Sequence, residues 1–274
     1  MSTVPTITLD NGVEIPQLGL GVWQVEDEIV TDVVTAAFET GYRHIDTAAA
    51  YGNEPGVGRA IAASGLPRDD LFITTKVWND DQGYDSTLKA FDRSLAKLGL
   101  EYVDLYLIHW QSLQRDLYVD TWKAFEKLYD EKRVRAIGVS NFHQPALQRL
   151  FDECTIRPAV NQIELHPELP QDELRAFNAE NDIVTEAWSP LASGHLLENA
   201  VLTGIGEKYG KSPAQVMIRW HLQLGNVVIP KSKTPSRIRE NFEVFDFQLD
   251  NDDMAAIADL ETGTRTGGDP DIFG

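Results

Sequence analysis

The stretch Gly41–Gly52 delivers an aspartate, Asp46, at the end of a short apolar run and a tyrosine, Tyr51, five residues later. A carboxylate half-buried at a strand end is costly unless paired, so Asp46 calls for a cation. Taken alone, the stretch reads equally as a helix-capping aspartate beside a core-edge tyrosine. Two further runs bear on the choice: Phe72–Lys76 ends in a lysine and Val103–His109 in a histidine. A neighbouring ammonium favours the phenolate and lowers the tyrosine pKa from its usual value of about 10. Asp46 would hold Lys76 charged and in place, and His109 would orient a substrate oxygen beside the tyrosine. The four make a proton donor without a nucleophile. His44, His109, His143, His166, His195 and His221 lack ligand spacing with one another or with Cys154, so no metal site competes.

A second group is basic. Lys231, Lys233, Arg237 and Arg239 fall within Pro230–Arg239, where an apolar run ends and a helix begins. That junction suits phosphate binding. Lys231 and Arg237 are the anion-site candidates, whereas a solvated helix face accounts for Lys233 and Arg239. The chain carries a net charge of −19, which makes any local cationic cluster informative and argues against nucleic acid or an anionic membrane as partner. Glycines give no dinucleotide fingerprint: Gly204, Gly206 and Gly210 have the wrong spacing and lie in a helical stretch.

The elements that must position these groups alternate. Thr6–Leu9 and Val13–Pro16, joined through Asn11-Gly12, predict a hairpin. Short apolar strands are expected at Gln17–Val22, Arg43–Asp46, Phe72–Lys76, Val103–His109, Ala136–Val139, Ala159–Ile163, Ile183–Trp188 and Val227–Pro230. Helical patterns separate them at Glu26–Thr40, Pro55–Ser64, Tyr84–Leu98, Val119–Glu131, Gln144–Glu153, Gln171–Asn181, Ala200–Tyr209 and Pro213–Leu224. Eight such units predict an α/β fold closed into a (β/α)8 TIM barrel, with extra helices before the last strand and at Asn251–Leu260. Active sites of such barrels lie at the carboxyl ends of the strands. Those ends supply Trp23; Asp46 and Tyr51; Lys76 and Trp78; His109 and Trp110; Ser140 and Asn141; Gln162; Trp188 and Ser189; Lys231 and Ser232. The tail Glu261–Gly274, with Phe273, is expected either as a loose terminus or as a flap over the barrel mouth.

No linker or composition break divides residues 1–274, which read as one domain with ordinary hydrophobic (42%) and charged (24%) content. The chain shows no apolar run of about 20 residues and no leader, so neither a membrane span nor secretion is expected. A single cysteine excludes an internal disulfide and suits a reducing cytoplasm.

Six blocks in order carry a resemblance: GYRHIDTAAAYGNEPGVGRAI (41–61), LFITTKVWN (71–79), VDLYLIHW (103–110), AIGVSNF (136–142), PAVNQIELHP (158–167) and IPKSKTPSRIREN (229–241). The chain resembles the aldo-keto reductases, most closely the short bacterial branch typified by 2,5-diketo-D-gluconate reductases. The resemblance implies NADPH-dependent reduction of aldehydes, ketones, diketones, keto sugars or keto acids by a monomer with a hairpin plug. It implies Tyr51 as general acid, Lys76 and Asp46 as its support, and His109 in the oxyanion pocket. Ser140, Asn141 and Gln162 would hold the nicotinamide carboxamide, and Trp188 would stack on its ring. Ser189, Leu191 and Ser193 would pass over the pyrophosphate. Lys231, Ser232 and Arg237 would bind the 2′-phosphate, with Glu240 and Asn241 at the adenine. A small-molecule carbonyl substrate would meet Trp23, Trp78, Trp110 and Phe273. One departure stands out: Gln111 occupies a position where the family commonly has proline, and the loop to Tyr118 is short. Two other readings share the residues: a Schiff-base lysine at Lys76, as in an aldolase, and a non-catalytic cofactor-binding sensor.

Overall fold

Strands that are apolar on both faces must be covered on both, which favours a parallel sheet wrapped in helices. A computed structural model describes residues 4–273; the ends of the expected domain, residues 1–3 and 274, lie outside the described residues. A hairpin of β1 (Thr6–Thr8) and β2 (Glu14–Pro16) comes first. Eight parallel strands follow: β3 (Leu20–Gly21), β4 (His44–Asp46), β5 (Phe72–Val77), β6 (Val103–Ile108), β7 (Val134–Ser140), β8 (Val160–Glu164), β9 (Val184–Trp188) and β10 (Val227–Val228). Each pairs with its neighbour in chain order, and a parallel bridge between Leu18 and Val228 joins the first to the last. The Gly19 amide donates to the Val228 carbonyl at 2.9 Å, and the Val228 amide to Gln17 at 2.9 Å, so the sheet closes on itself. The expected barrel is therefore present.

At that seam the backbones crowd. A Cβ on Gly21 would lie 2.9 Å from the Ile229 carbonyl oxygen, too close for any side chain. The first and last strands are shorter than their sequence patterns: two residues of regular pairing each, where Gln17–Val22 and Val227–Pro230 were expected. Elsewhere boundaries differ by only a residue or two. Among the described residues, ten α-helices run from α1 (Asp27–Thr40) through α2 (Glu54–Ala63), α3 (Tyr84–Leu98), α4 (Tyr118–Asp130), α5 (Gln144–Glu153), α6 (Asp172–Glu180), α7 (Ala200–Tyr209), α8 (Pro213–Gln223) and α9 (Pro235–Phe242) to α10 (Asn251–Ala258). Short 3-10 turns, not anticipated, occur at Ala49–Tyr51, Arg68–Asp70, Asn79–Asp81 and Ala192–Glu198. The glycines of the false fingerprint belong to α7 and its C-cap.

Alternation along each strand sorts the core into two layers. On β6, Tyr106 faces the helices, where its ring centroid lies 4.8 Å from Phe91 and 4.4 Å from Phe125. Leu105 and Leu107 face inward with Phe72, Ala136 and Val160, against Leu9 and Ile15 of the hairpin segment. The hairpin thus stoppers the amino end of the barrel and leaves the carboxyl end for polar groups. Near the amino end, fully buried Asp104 accepts from Arg68 at 2.7 Å, Arg135 at 2.8 Å and the Ile73 amide at 2.8 Å. Both arginines reach solvent, so the main loss in Asp104→Ala is the acceptor of the buried Ile73 amide, and the variant is expected to cost about 1–3 kcal/mol. Urea unfolding of the variant against the wild type measures this.

Candidate active site

Inward positions of β4, β5, β8 and β9 carry His44 and Asp46, Thr74 and Lys76, Gln162 and Glu164, and Glu186, all buried. Lys76 is the centre. Its Nζ donates to Asp46 Oδ1 at 2.6 Å, to the Thr47 carbonyl at 2.9 Å and to the Tyr51 hydroxyl at 3.4 Å. Tyr51 reaches this point because β4 ends at Asp46 and the 3-10 turn Ala49–Tyr51 folds the chain back over the strand end. His109, just beyond β6, meets the Tyr51 ring edge-on with centroids 5.6 Å apart. The four residues that the sequence nominated converge.

Their ionisation follows from burial. Burial disfavours the Lys76 ammonium, but the charges of Asp46, Tyr51 and Glu186 outweigh it and raise its pKa above the ordinary value. Lys76 is therefore a fixed cation. Burial raises Asp46, opposed by the charge and hydrogen bond of Lys76 and by the hydrogen bond from Gln162. For Tyr51 the expected lowering is overturned: burial raises the phenol, and Asp46 and Glu186 add to that, exceeding what Lys76 takes away. The phenol is held protonated at neutral pH, as a proton donor must be. His109 is pushed well below its usual range by burial and by Lys76, so its ring is neutral. Its buried Nδ1 has no hydrogen-bond partner among the described residues.

The residues expected around a cofactor divide into those tied to this centre and those away from it. Gln162 Nε2 donates to Asp46 Oδ2 and to Glu186 Oε2, both at 2.8 Å, which uses both amide protons and leaves its oxygen as an acceptor. Ser140 Oγ donates to the Gln162 carbonyl at 2.9 Å. Asn141, in the left-handed region at φ 60°, donates to the His109 carbonyl and to Ser140 Oγ, both at 3.0 Å. Trp188 Nε1 donates to Asn141 Oδ1 at 2.8 Å. One network therefore links these four residues to the proton-donor set. Leu191 packs against the core, and Ser189 and Ser193 pair at 3.1 Å in a loop where both have positive φ. Lys231 and Ser232 follow β10, while Arg237, Glu240 and Asn241 belong to α9. Lys233 is paired with Glu26 at 2.6 Å, whereas neither Lys231 nor Arg237 makes a salt bridge among the described residues. Among the substrate-side aromatics, Phe273 lies 4.4 Å from Trp110 and 6.4 Å from Trp78 between centroids. The tail therefore lies at the mouth, the flap rather than the loose terminus. Trp23 stands apart, half exposed at 51%, without a ring contact to the other three among the described residues.

Glu186 was missed. Its signal was a lone carboxylate inside the run Val184–Trp188, at inward parity. Fully buried 3.6 Å from His44 Nε2, it is pushed up to about 8, first by burial and then by repulsion from Asp46.

A buried lysine bridging an aspartate and a tyrosine beside a neutral histidine, at the carboxyl rim of a parallel eight-stranded barrel, defines a class of site. The comparisons then give the family. Residues 17–262 match the model of the aldo/keto reductase family, and the chain belongs to that family. It is 60% identical over 269 residues to an aldo-keto reductase of Mycolicibacterium smegmatis, covering 98% of each chain. It is 51% identical over 276 residues to methylglyoxal reductase DkgA of Escherichia coli, covering 100% of each. A crystal structure of a Gox0644 mutant in complex with NADPH superimposes with a TM-score of 0.96 at 45% identity, covering 100% of each chain.

Glu186 sets a pH dependence of stability. The folded state keeps a proton that the unfolded chain, with a glutamate pKa of 4.5, has lost; stability therefore falls as pH rises towards about 8. His44, pushed down to about 3 by burial, contributes no further change above its unfolded value of 6.5. Between pH 6.5 and 8 wild-type stability should decline, relative to Glu186→Gln, by about 1–2 kcal/mol in all, with the slope easing as pH nears 8. Parallel denaturant titrations of the two proteins across that range measure the difference.

Proposed function

We propose that this chain is an NADPH-dependent carbonyl reductase, with Tyr51 as proton donor and a small aldehyde, ketone or dicarbonyl as substrate. The observation that carries the reading is the buried Lys76 ammonium held between Asp46 and the Tyr51 hydroxyl. When bound, the cofactor supplies hydride to the carbonyl carbon. Tyr51 gives its proton to the carbonyl oxygen, and Lys76 stabilises the phenolate left behind. Asp46 keeps Lys76 charged. Neutral His109 offers a ring N–H to the oxygen as negative charge develops there. A Schiff-base role for Lys76 fits poorly, because its amine is committed to three partners and its pKa is raised.

The donor set fits NADPH. Gln162 presents only its oxygen, which suits a carboxamide N–H, and Ser140 and Asn141 adjoin it. Trp188 offers its ring beside them, and Ser189, Leu191 and Ser193 form a cover for a pyrophosphate. Lys231 and Arg237 make no salt bridge among the described residues in a chain of net charge −19, and are placed for a 2′-phosphate with Ser232. Glu240 and Asn241 would meet the adenine. The relatives named above, a methylglyoxal reductase and a structure in complex with NADPH, support the same reading. Trp78, Trp110 and Phe273 supply apolar walls for the substrate, with Trp23 at the outer edge. All four catalytic groups come from one chain, which supports a single-domain monomer spanning residues 1–274. One free cysteine is compatible with a cytoplasmic setting. Within the described residues no helix is long and apolar enough to cross a membrane.

Tyr51→Phe should abolish NADPH oxidation with methylglyoxal while retaining NADPH binding, read by protein fluorescence; near-normal turnover sinks the assignment. Lys231→Gly with Arg237→His should weaken NADPH by about a hundredfold through lost charge-assisted hydrogen bonds, with little change for NADH. Equal weakening of both cofactors would count against the phosphate site.

A further inference from the structure

The tail beyond α10 is fastened to the barrel rim along its length, and Thr266 Oγ1 lies 3.2 Å from Ser189 Oγ after β9. The Thr262 and Gly263 amides donate to the Glu168 carbonyl at 3.2 and 2.9 Å. Glu164, buried at the top of β8, accepts from the Thr266 amide and hydroxyl at 2.5 and 2.6 Å and from the Gly267 amide at 3.2 Å. A further fastening is Gln111. Its Nε2 donates to the Pro270 carbonyl and to Asp271 Oδ1, both at 2.9 Å, and its oxygen accepts from the His143 amide at 3.1 Å. His143 Nδ1 also lies 2.9 Å from Asp271 Oδ1.

Gln111 is buried, and both of its amide protons go to the tail. It follows His109 and Trp110 directly, yet it takes no part in the proposed proton transfer. Beyond its two contacts the Ile272 and Phe273 amides turn back onto the Asp269 carbonyl at 3.0 and 2.8 Å, and this turn lays Phe273 on Trp110. Trp78, the other ring near Phe273, meets His109 edge-on at 5.2 Å. Phe273 remains 43% exposed, so apolar burial alone holds it weakly. The polar fastening at Gln111 decides where the ring sits.

We propose that Gln111 is a specificity-determining residue: by holding Pro270 and Asp271 it fixes Phe273 as the outer wall of the pocket and restricts the mouth to small carbonyl compounds of a few carbons. This rests on the reductase reading above. Gln111→Leu keeps the volume and removes the donors; Asp271→Ala removes one acceptor at an exposed position, and carries the test if the first variant does not fold. Three quantities are read: kcat and KM for methylglyoxal and for a bulky aryl diketone, NADPH affinity by fluorescence, and amide hydrogen exchange along the tail.

A lost hydrogen bond of this kind should raise KM for methylglyoxal about tenfold in Gln111→Leu, with kcat nearly unchanged, and lower the selectivity over the aryl diketone by a similar factor. Asp271→Ala should move both in the same direction by less. NADPH affinity should stay the same. Exchange should quicken at Ile272 and Phe273 but not at Thr266 and Gly267, which Glu164 holds. Unchanged selectivity in a folded variant whose tail exchanges faster overturns the proposal, and so does unchanged exchange at Ile272 and Phe273. A wild-type protein with a protected tail that reduces no carbonyl instead fails the reductase reading, a different result from either.

Discussion

An ammonium buried without water must be paid for by its surroundings, and in this barrel nearly everything polar answers to Lys76. Its immediate partners, Asp46, the Thr47 carbonyl and Tyr51, come from one strand end and the turn after it. Behind them Gln162 spans Asp46 and Glu186, which shares the neutral interior with His44. The barrel walls that bury this group also disfavour the Tyr51 phenolate and keep its proton in place. Closure at the Gly19–Gly21 seam is therefore part of the chemistry as well as of the fold.

The barrel was legible because short strands rich in apolar residues alternate with amphipathic helices, signals that local sequence carries well. The site was legible for a related reason: polar residues placed directly after apolar strands stand out. Asp46, Lys76 and His109 are of that kind. What stayed hidden depends on distance through space. Glu186 and Gln162 meet Asp46 only after the barrel closes, and neither spacing nor composition announces that contact. The sign of the Tyr51 shift was misjudged for the same reason. A neighbouring charge can be inferred from strand order, but the extent of burial around it cannot.

Gln111 illustrates a third case. In the sequence it stands only as a departure from a family pattern, in a position where proline is common. In the fold it is a buried amide with defined partners on the tail. Tail residues from Thr262 to Phe273 were ambiguous between loose and closed because glycine, threonine and aspartate fit both. Acceptors on the rim, Glu164 and the Glu168 carbonyl, decide the matter, and they lie about a hundred residues earlier in the chain.

The hairpin and the tail occupy opposite mouths of the same barrel. The two mouths are therefore not equivalent: a change in the hairpin acts on the apolar layer around Leu105 and Leu107, whereas a change in the tail acts on the aromatic rim around Trp110.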